Sequence, residues 1–224
     1  MLKGYDASKY DRPSVAVDVL LFTIEAGELK ILLVQRNEEP FKGRWSLPGG
    51  FVKADESLDR AAIRELGEES GVENIYLEQL YTFGDPKRDP RTRVISVTYM
   101  ALGAKTDWGL KASGDVSAAK FFSVDNLPKL AFDHQQIFHY GLERLRSKLG
   151  YTNIAFGLLP EQFTLTDLQK VYEIILNKQL DKRNFRKKIL TTDLLRSLGK
   201  KSSGGAHRPA ELYRFKKKEI VYTD

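Results

Sequence analysis

The stretch GFVKADESLDRAAIRELGEESGV, Gly50 to Val72, constrains this chain more than any other. It reads as a helix beginning near Ser57, with Leu58, Ala62 and Leu66 on a stripe that can pack against a sheet. On that helix Glu65 and Glu69 lie about 40° apart, and Glu68 falls about 60° to the other side of Glu65. All three carboxylates project within a ~100° arc. Like charges this close repel, and each pair costs a few tenths of a kcal/mol even on an exposed helix. A hard divalent cation, Mg²⁺ or Mn²⁺, removes the conflict, because such ions prefer oxygen ligands. The competing reading is a solvated, charge-rich surface helix.

Composition narrows the setting. The 224 residues contain no Cys, so disulfides, thiolate metal sites and a thiol nucleophile are excluded, and a reducing cytoplasm fits. No apolar run approaches the roughly 18 residues of a membrane span, so no membrane partner is expected. The start, MLKGYDASKYDRPS, lacks the apolar core of a signal peptide. The net charge of +6 is uneven. Residues 1–150 hold 21 Lys and Arg against 22 Asp and Glu, whereas residues 151–224 hold 15 against 8. That asymmetry predicts two units, 1–150 and 151–224, the second facing a polyanion.

Along the first unit, SVAVDVLLFTI, LKILLVQR, IYLEQLYTFG, RVISVTYMALG and AAKFFSV read as strands, with a turn at Glu25–Glu28. Asp133 is placed to cap a helix through QQIFHYGLERLRSKL, with Gly150 as its stop. The unit is therefore α/β or α+β. GYTNIAFGLLPEQF reads as a linker. Beyond it, TLTDLQKVYEIILNKQL is an amphipathic helix and DKRNFRKKIL a short basic one. LLRSLG, KKSSGGAHRPA and ELYRFKKKEIV read as strand, flexible turn and strand.

The opening segment runs Gly50, five residues, Glu56, seven residues, then Arg64-Glu65-Leu66-Gly67-Glu68-Glu69-Ser70-Gly71-Val72. This resembles the Nudix box, G-x5-E-x7-R-E-U-x-E-E-x-G-U with U aliphatic, at every specified position. The resemblance implies an α/β/α sandwich and cleavage of a nucleoside diphosphate linked to another group. Carried over position by position, Glu65, Glu68 and Glu69 would hold the cation, and Gly50 would let the backbone approach it. Glu56 and Arg64 would brace the loop against the helix. Metal ions neutralise a pyrophosphate and activate water, and Glu65 is suited to orient that water or take its proton. Asp115, in a loop before a strand, is a candidate further acid.

Residues 82–101, TFGDPKRDPRTRVISVTYMA, place Arg88, Arg91 and Arg93 ahead of an alternating strand. Guanidinium forks suit phosphate oxygens. The stretch is similar to a signature of Nudix proteins that act on or bind ADP-ribose, as is LPKLAFDHQQI, where His134 reads as structural. In the basic unit, the order helix, basic helix, strand, Gly-rich turn, strand is that of a winged helix-turn-helix. Lys182, Arg183, Asn184, Arg186, Lys187 and Lys188 would face DNA from the second helix, with Phe185 and Ile189 toward a small core. Lys200, Lys201 and Arg208 would belong to the wing.

The whole resembles Nudix-related transcriptional regulators of NAD and sugar metabolism, which implies a homodimer on operator DNA. Such regulators often have an eroded box, and this one is complete. Two alternatives stay open: a Mg²⁺-dependent ADP-ribose pyrophosphatase yielding AMP and ribose 5-phosphate, with the tail as an accessory module, and an RNA-end hydrolase. The tail lacks the interleaved aromatics of a single-strand binder.

Overall fold

A computed structural model describes residues 6–72, 75–104, 108–112, 114–202 and 209–223. The first unit is built on a mixed sheet of β1 (Ser14–Glu25), β2 (Glu28–Arg36), β3 (Trp45–Ser46), β4 (Gly49–Phe51), β5 (Tyr76–Phe83), β6 (Val94–Gly103) and β7 (Val116–Ser123). The order is β3-β2-β1-β6-β5, with β4 on β1 and β7 on β2. β1 and β6 run parallel through the centre, from Ser14 opposite Val94 to Thr23 opposite Gly103.

The alternation of β1 assigns its two faces. Val17, Val19 and Leu21 meet Ala61, Ala62 and Leu66 of α1 (Leu58–Ser70). Leu20 and Phe22 point the other way, into a cluster with Ile137, Phe138 and Leu145 of α2 (His134–Lys148). Each of these fully buried aliphatic or aromatic side chains contributes roughly 1.5–3 kcal/mol of transfer free energy. The result is an α/β/α sandwich.

α1 has defined ends. The Ser57 hydroxyl accepts the Arg60 amide at 3.3 Å, and the Gly71 amide donates to the Gly67 carbonyl at 2.8 Å. Gly71 has φ of 74°, a left-handed conformation that favours glycine. α2 departs from expectation in how its ends are capped. Asp133 occupies the capping position but makes no capping bond, because its carboxylate receives Arg88 instead. At the far end the helix stops where expected, with Lys148 its last residue and Leu149 its cap just before Gly150, but Gly150 does not take the left-handed conformation.

The second unit is a winged helix. α3 (Leu165–Leu176) and α4 (Lys182–Thr191) stand before a sheet of β8 (Phe163–Thr164), β9 (Leu195–Lys201) and β10 (Glu211–Phe215), in the order β8-β10-β9. α3 opens with a reciprocal Thr164–Asp167 capping box and stops four residues short of expectation, where Asn177 turns left-handed. Asp181 caps α4 by accepting the Asn184 amide at 2.8 Å. Tyr172 meets Phe185 edge to face at 5.2 Å, and Ile189 is buried.

Residues read as a linker are core. Ile154 and Ala155 in a short 3-10 turn (Ile154–Leu158) are fully buried, and one hydrophobic cluster runs from Leu20 and Met100 through Leu158 to Leu168, Ile175 and Phe215. The last expected strand is shorter than its pattern, since the lysines after Phe215 are exposed. The chain then returns across the junction. The Val221 amide donates to the Asn153 side chain at 2.8 Å, and the Thr223 amide to the Tyr151 carbonyl at 2.9 Å. At the end of α2, Arg146 Nε donates to the Ile175 carbonyl of α3 at 2.9 Å. Lys148 Nζ reaches Glu78 on β5 at 2.6 Å.

Candidate functional site

β4 pairs with β1 and carries Gly49, Gly50 and Phe51 alongside the inner face of α1. The Gly49 amide donates to Glu69 Oε2 at 2.8 Å. A Cβ on Gly50 would lie 2.4 Å from Glu65 Oε1, so only glycine permits this approach of backbone and carboxylate. Glu65 and Glu69 open into a cavity of about 310 Å³, lined also by Asp18, Arg36, Phe51, Arg88, Asp89, Arg91, Asp115, Phe132 and His134. Four other cavities are larger, at about 590, 560, 430 and 410 Å³, but none is lined by more than three carboxylates, whereas this one is lined by six together with Arg36, Arg88 and Arg91. Chemistry therefore points to this one.

The electrostatics of the acidic end are unbalanced. Burial pushes the Glu69 carboxyl up to about 8, against the opposing bond from Gly49. Burial also raises Glu65, which Arg64 opposes. Arg64 donates to Glu65 at 2.7 Å, to Glu68 at 3.0 Å and, through both Nε and Nη2, to Glu56 at 2.9 and 2.6 Å. That fork holds Glu56 down at about 2. Glu68 is half exposed and does not line the cavity. Among the described residues, no three His, Cys, Asp or Glu side chains are gathered into a metal-holding group. The donor set still suits a hard cation, because two carboxylates stripped of water carry charge that a divalent ion offsets. Glu65 and Glu69 would hold it, with Glu68 released from Arg64. When bound, the ion supplies neutralisation of a pyrophosphate and activation of water.

The three arginines of the loop before β6 have three different surroundings. Arg88 is buried, forked onto Asp133 at 2.8 and 2.9 Å and within 3.3 Å of Asp18. Burial disfavours its charge, but Asp133 and Asp18 outweigh that and raise its pKa. Arg91 lines the cavity, forked onto Asp89 and set over the rings of Phe51 at 5.2 Å and Phe132 at 5.6 Å. Arg93 is outside the cavity wall and donates weakly to the Val94 carbonyl at 3.4 Å.

His134 is fully enclosed. Its Nδ1 accepts the Leu47 amide at 2.9 Å, which leaves the proton on Nε2, 3.3 Å from Asp18. Burial holds it below the usual histidine range. Asp18 also accepts the Ser96 hydroxyl. This network floors the cavity, and sequence reasoning did not find Asp18, Asp89 or the aromatic pair. The signal for Asp18 was a lone carboxylate between Val17 and Val19 in an apolar strand. Phe132 has φ of 49°, an unusual backbone state for a bulky residue that marks a constrained position beside the site. Asp115 lines the cavity rim.

A second surface is basic. On α4, Lys182, Arg183, Asn184, Lys187 and Lys188 are exposed, while Arg186 is partly buried and donates to Thr166 Oγ1 at 3.2 Å. Lys200 and Lys201 are exposed at the end of β9. Arg208 lies outside the described residues.

The Nudix domain profile matches residues 12–140. The chain belongs to the Nudix family. The profile of the NrtR DNA-binding winged helix domain matches residues 155–215 of the same chain, so a second, distinct module follows the Nudix domain. Over 96% of its length the chain is 36% identical to the ADPR responsive transcriptional repressor NtrR of Acinetobacter baylyi, covering 86% of that protein. The Nudix protein also superposes on the crystal structure of Shewanella oneidensis NrtR complexed with a 27mer DNA. The TM-score is 0.78 at 39% identity, covering 90% of this chain and 93% of the other. The Nudix domain alone is 41% identical to the ADP-ribose pyrophosphatase of Methanocaldococcus jannaschii, over 61% of this chain and 79% of that enzyme. No helix of the described residues is long and apolar enough to cross a membrane.

Proposed function

We propose that this protein is a DNA-binding repressor whose Nudix domain binds ADP-ribose, and that the bound ligand changes its affinity for operator DNA. The observation that carries this reading is the presence in one chain of two complementary surfaces. A cavity joins an acidic, cation-suited end to an arginine–aromatic end, and a helix with Lys182, Arg183, Asn184, Lys187 and Lys188 exposed stands on the winged unit. The relatives with matching full-length architecture support it. Glu65 and Glu69 would hold Mg²⁺ or Mn²⁺, which would supply neutralisation of the diphosphate, and Arg91, in the same cavity wall, would meet that group. Lys182, Arg183, Asn184, Lys187, Lys188, Lys200 and Lys201 would contact the duplex, in phosphate and base-edge roles. A symmetric operator calls for a homodimer, and the setting is the cytoplasm. The test is a gel shift on the DNA upstream of the protein's own gene, with and without ADP-ribose. A shift that ADP-ribose alters supports the reading, and failure to bind that DNA at low salt contradicts it.

A second reading is favoured by one observation: the box is complete, and Glu65 and Glu69 face the cavity with their carboxyls raised by burial. With a divalent ion offsetting their charge both carboxyls would be deprotonated, and Glu65 would orient the attacking water or take its proton. ADP-ribose would then be cleaved to AMP and ribose 5-phosphate, resetting the signal. Following ligand and products by chromatography in the presence of Mg²⁺ decides it. Turnover that Glu65→Gln abolishes supports hydrolysis, and an unchanged ligand after prolonged incubation removes it.

A further inference from the structure

Seven large hydrophobic side chains stand exposed among the described residues, and of these only Phe51 lines the acidic cavity. It is 41% exposed. An aromatic ring left in water at the mouth of a polar cleft carries an unrealised burial gain. Its position is fixed rather than incidental. Phe51 pairs with Ala16 of β1, its carbonyl accepts Arg64 Nη2 at 3.3 Å, and Arg64 is itself forked onto Glu56. The bracing pair of the box therefore sets where this ring stands.

A cation backs the ring. The Arg91 guanidinium lies 5.2 Å from the Phe51 centroid, pinned by its fork to Asp89. Arg91 is also 5.6 Å from the Phe132 ring, which carries Arg36 at 4.9 Å, so rings and cations alternate along this side of the cavity. A cation on one side of an aromatic ring draws electron density toward itself. The ring's other side then suits an electron-rich planar partner, and purines have that character.

We infer that Phe51 is the stacking platform for the nucleobase of the ligand, and so the residue that selects a nucleotide over a base-free phosphate ester. This rests on the ADP-ribose reading above and adds the base as the recognised group. Stacking a base on an aromatic side chain is worth enough that its loss on substitution by alanine weakens binding roughly 5- to 150-fold.

Calorimetric titration of ADP-ribose into the wild-type protein, Phe51→Ala and Phe51→Tyr tests it. Phe51→Ala is expected to lose at least about fivefold in affinity, and Phe51→Tyr, which keeps the ring, to stay within about threefold of wild type. Binding by Phe51→Ala within twofold of wild type overturns the inference, as does an equal loss in both variants. Should Phe51→Ala fail to fold, Phe51→Leu replaces it, keeping the bulk without the aromatic face. Phe51→Trp gives an optical readout: its added fluorescence should be quenched by ADP-ribose and not by ribose 5-phosphate, and equal quenching by both contradicts a base platform. Absence of ADP-ribose binding by the wild type is a separate result, which removes the proposed function itself.

Discussion

The Glu69 carboxylate accepts the Gly49 amide at 2.8 Å, tying the last turn of the box helix to the strand that precedes it. That single bond only partly offsets the burial that pushes this group up to about 8, from an ordinary value of 4.5.

A pH dependence follows. In the absence of divalent cations the folded protein keeps a proton on Glu69 that the unfolded chain releases above about pH 4.5. The folded state then binds more protons, so this group's contribution is fully present below pH 4.5 and is lost as pH rises through about 8. Urea midpoints measured from pH 5 to 8 should fall for the wild type relative to Glu69→Gln. Parallel profiles would contradict it. Mg²⁺ binds the deprotonated form and should release a proton near pH 7, measurable in weakly buffered solution.

Arg88 separates a structural role from a ligand role. Its guanidinium is buried and shared by Asp133 and Asp18. Removing it leaves two carboxylates near the cavity floor without their cation, a change that costs about 3–5 kcal/mol. Arg88→Met should therefore lower the stability measured by chemical denaturation by that order. A variant with unchanged stability and weakened ADP-ribose binding would show instead that Arg88 acts on the ligand.

On α4, exposure sorts the cations. Lys187 is exposed, whereas Arg186 is engaged by Thr166. Lys187→Ala should weaken binding to all DNA sequences about equally and reduce the slope of log affinity against log salt by about 1, with no change in melting temperature. A sequence-selective loss would assign Lys187 to base edges rather than to phosphate.

Much of this was legible in the chain because helical period carries its own geometry. The spacing of Leu58, Ala62 and Leu66 placed α1 on the sheet, and the same spacing turned Glu65 and Glu69 toward Gly50. Glu68 differs because it stands half exposed on the outer flank, although the same Arg64 reaches both it and Glu65. Arg88 and Arg91 looked alike in sequence, and only the long-range placement of Asp133 and Asp18 distinguishes them. The segment 150–163 carried two glycines and a proline and read as a linker, yet Ile154 and Ala155 fill the space where the two units meet. Phe51 had no sequence signal of its own, since nothing local reveals that Arg91 will arrive behind its ring.

The central claim is that occupancy of the Nudix cavity and affinity for DNA are coupled, and coupling between binding sites is reciprocal. The decisive measurement determines the ADP-ribose affinity of the full-length protein twice, free and saturated with its operator duplex, under non-hydrolysing conditions. The factor by which DNA changes ADP-ribose affinity should equal the factor by which ADP-ribose changes DNA affinity, and it should differ from one. Identical ADP-ribose affinities with and without DNA would contradict the account.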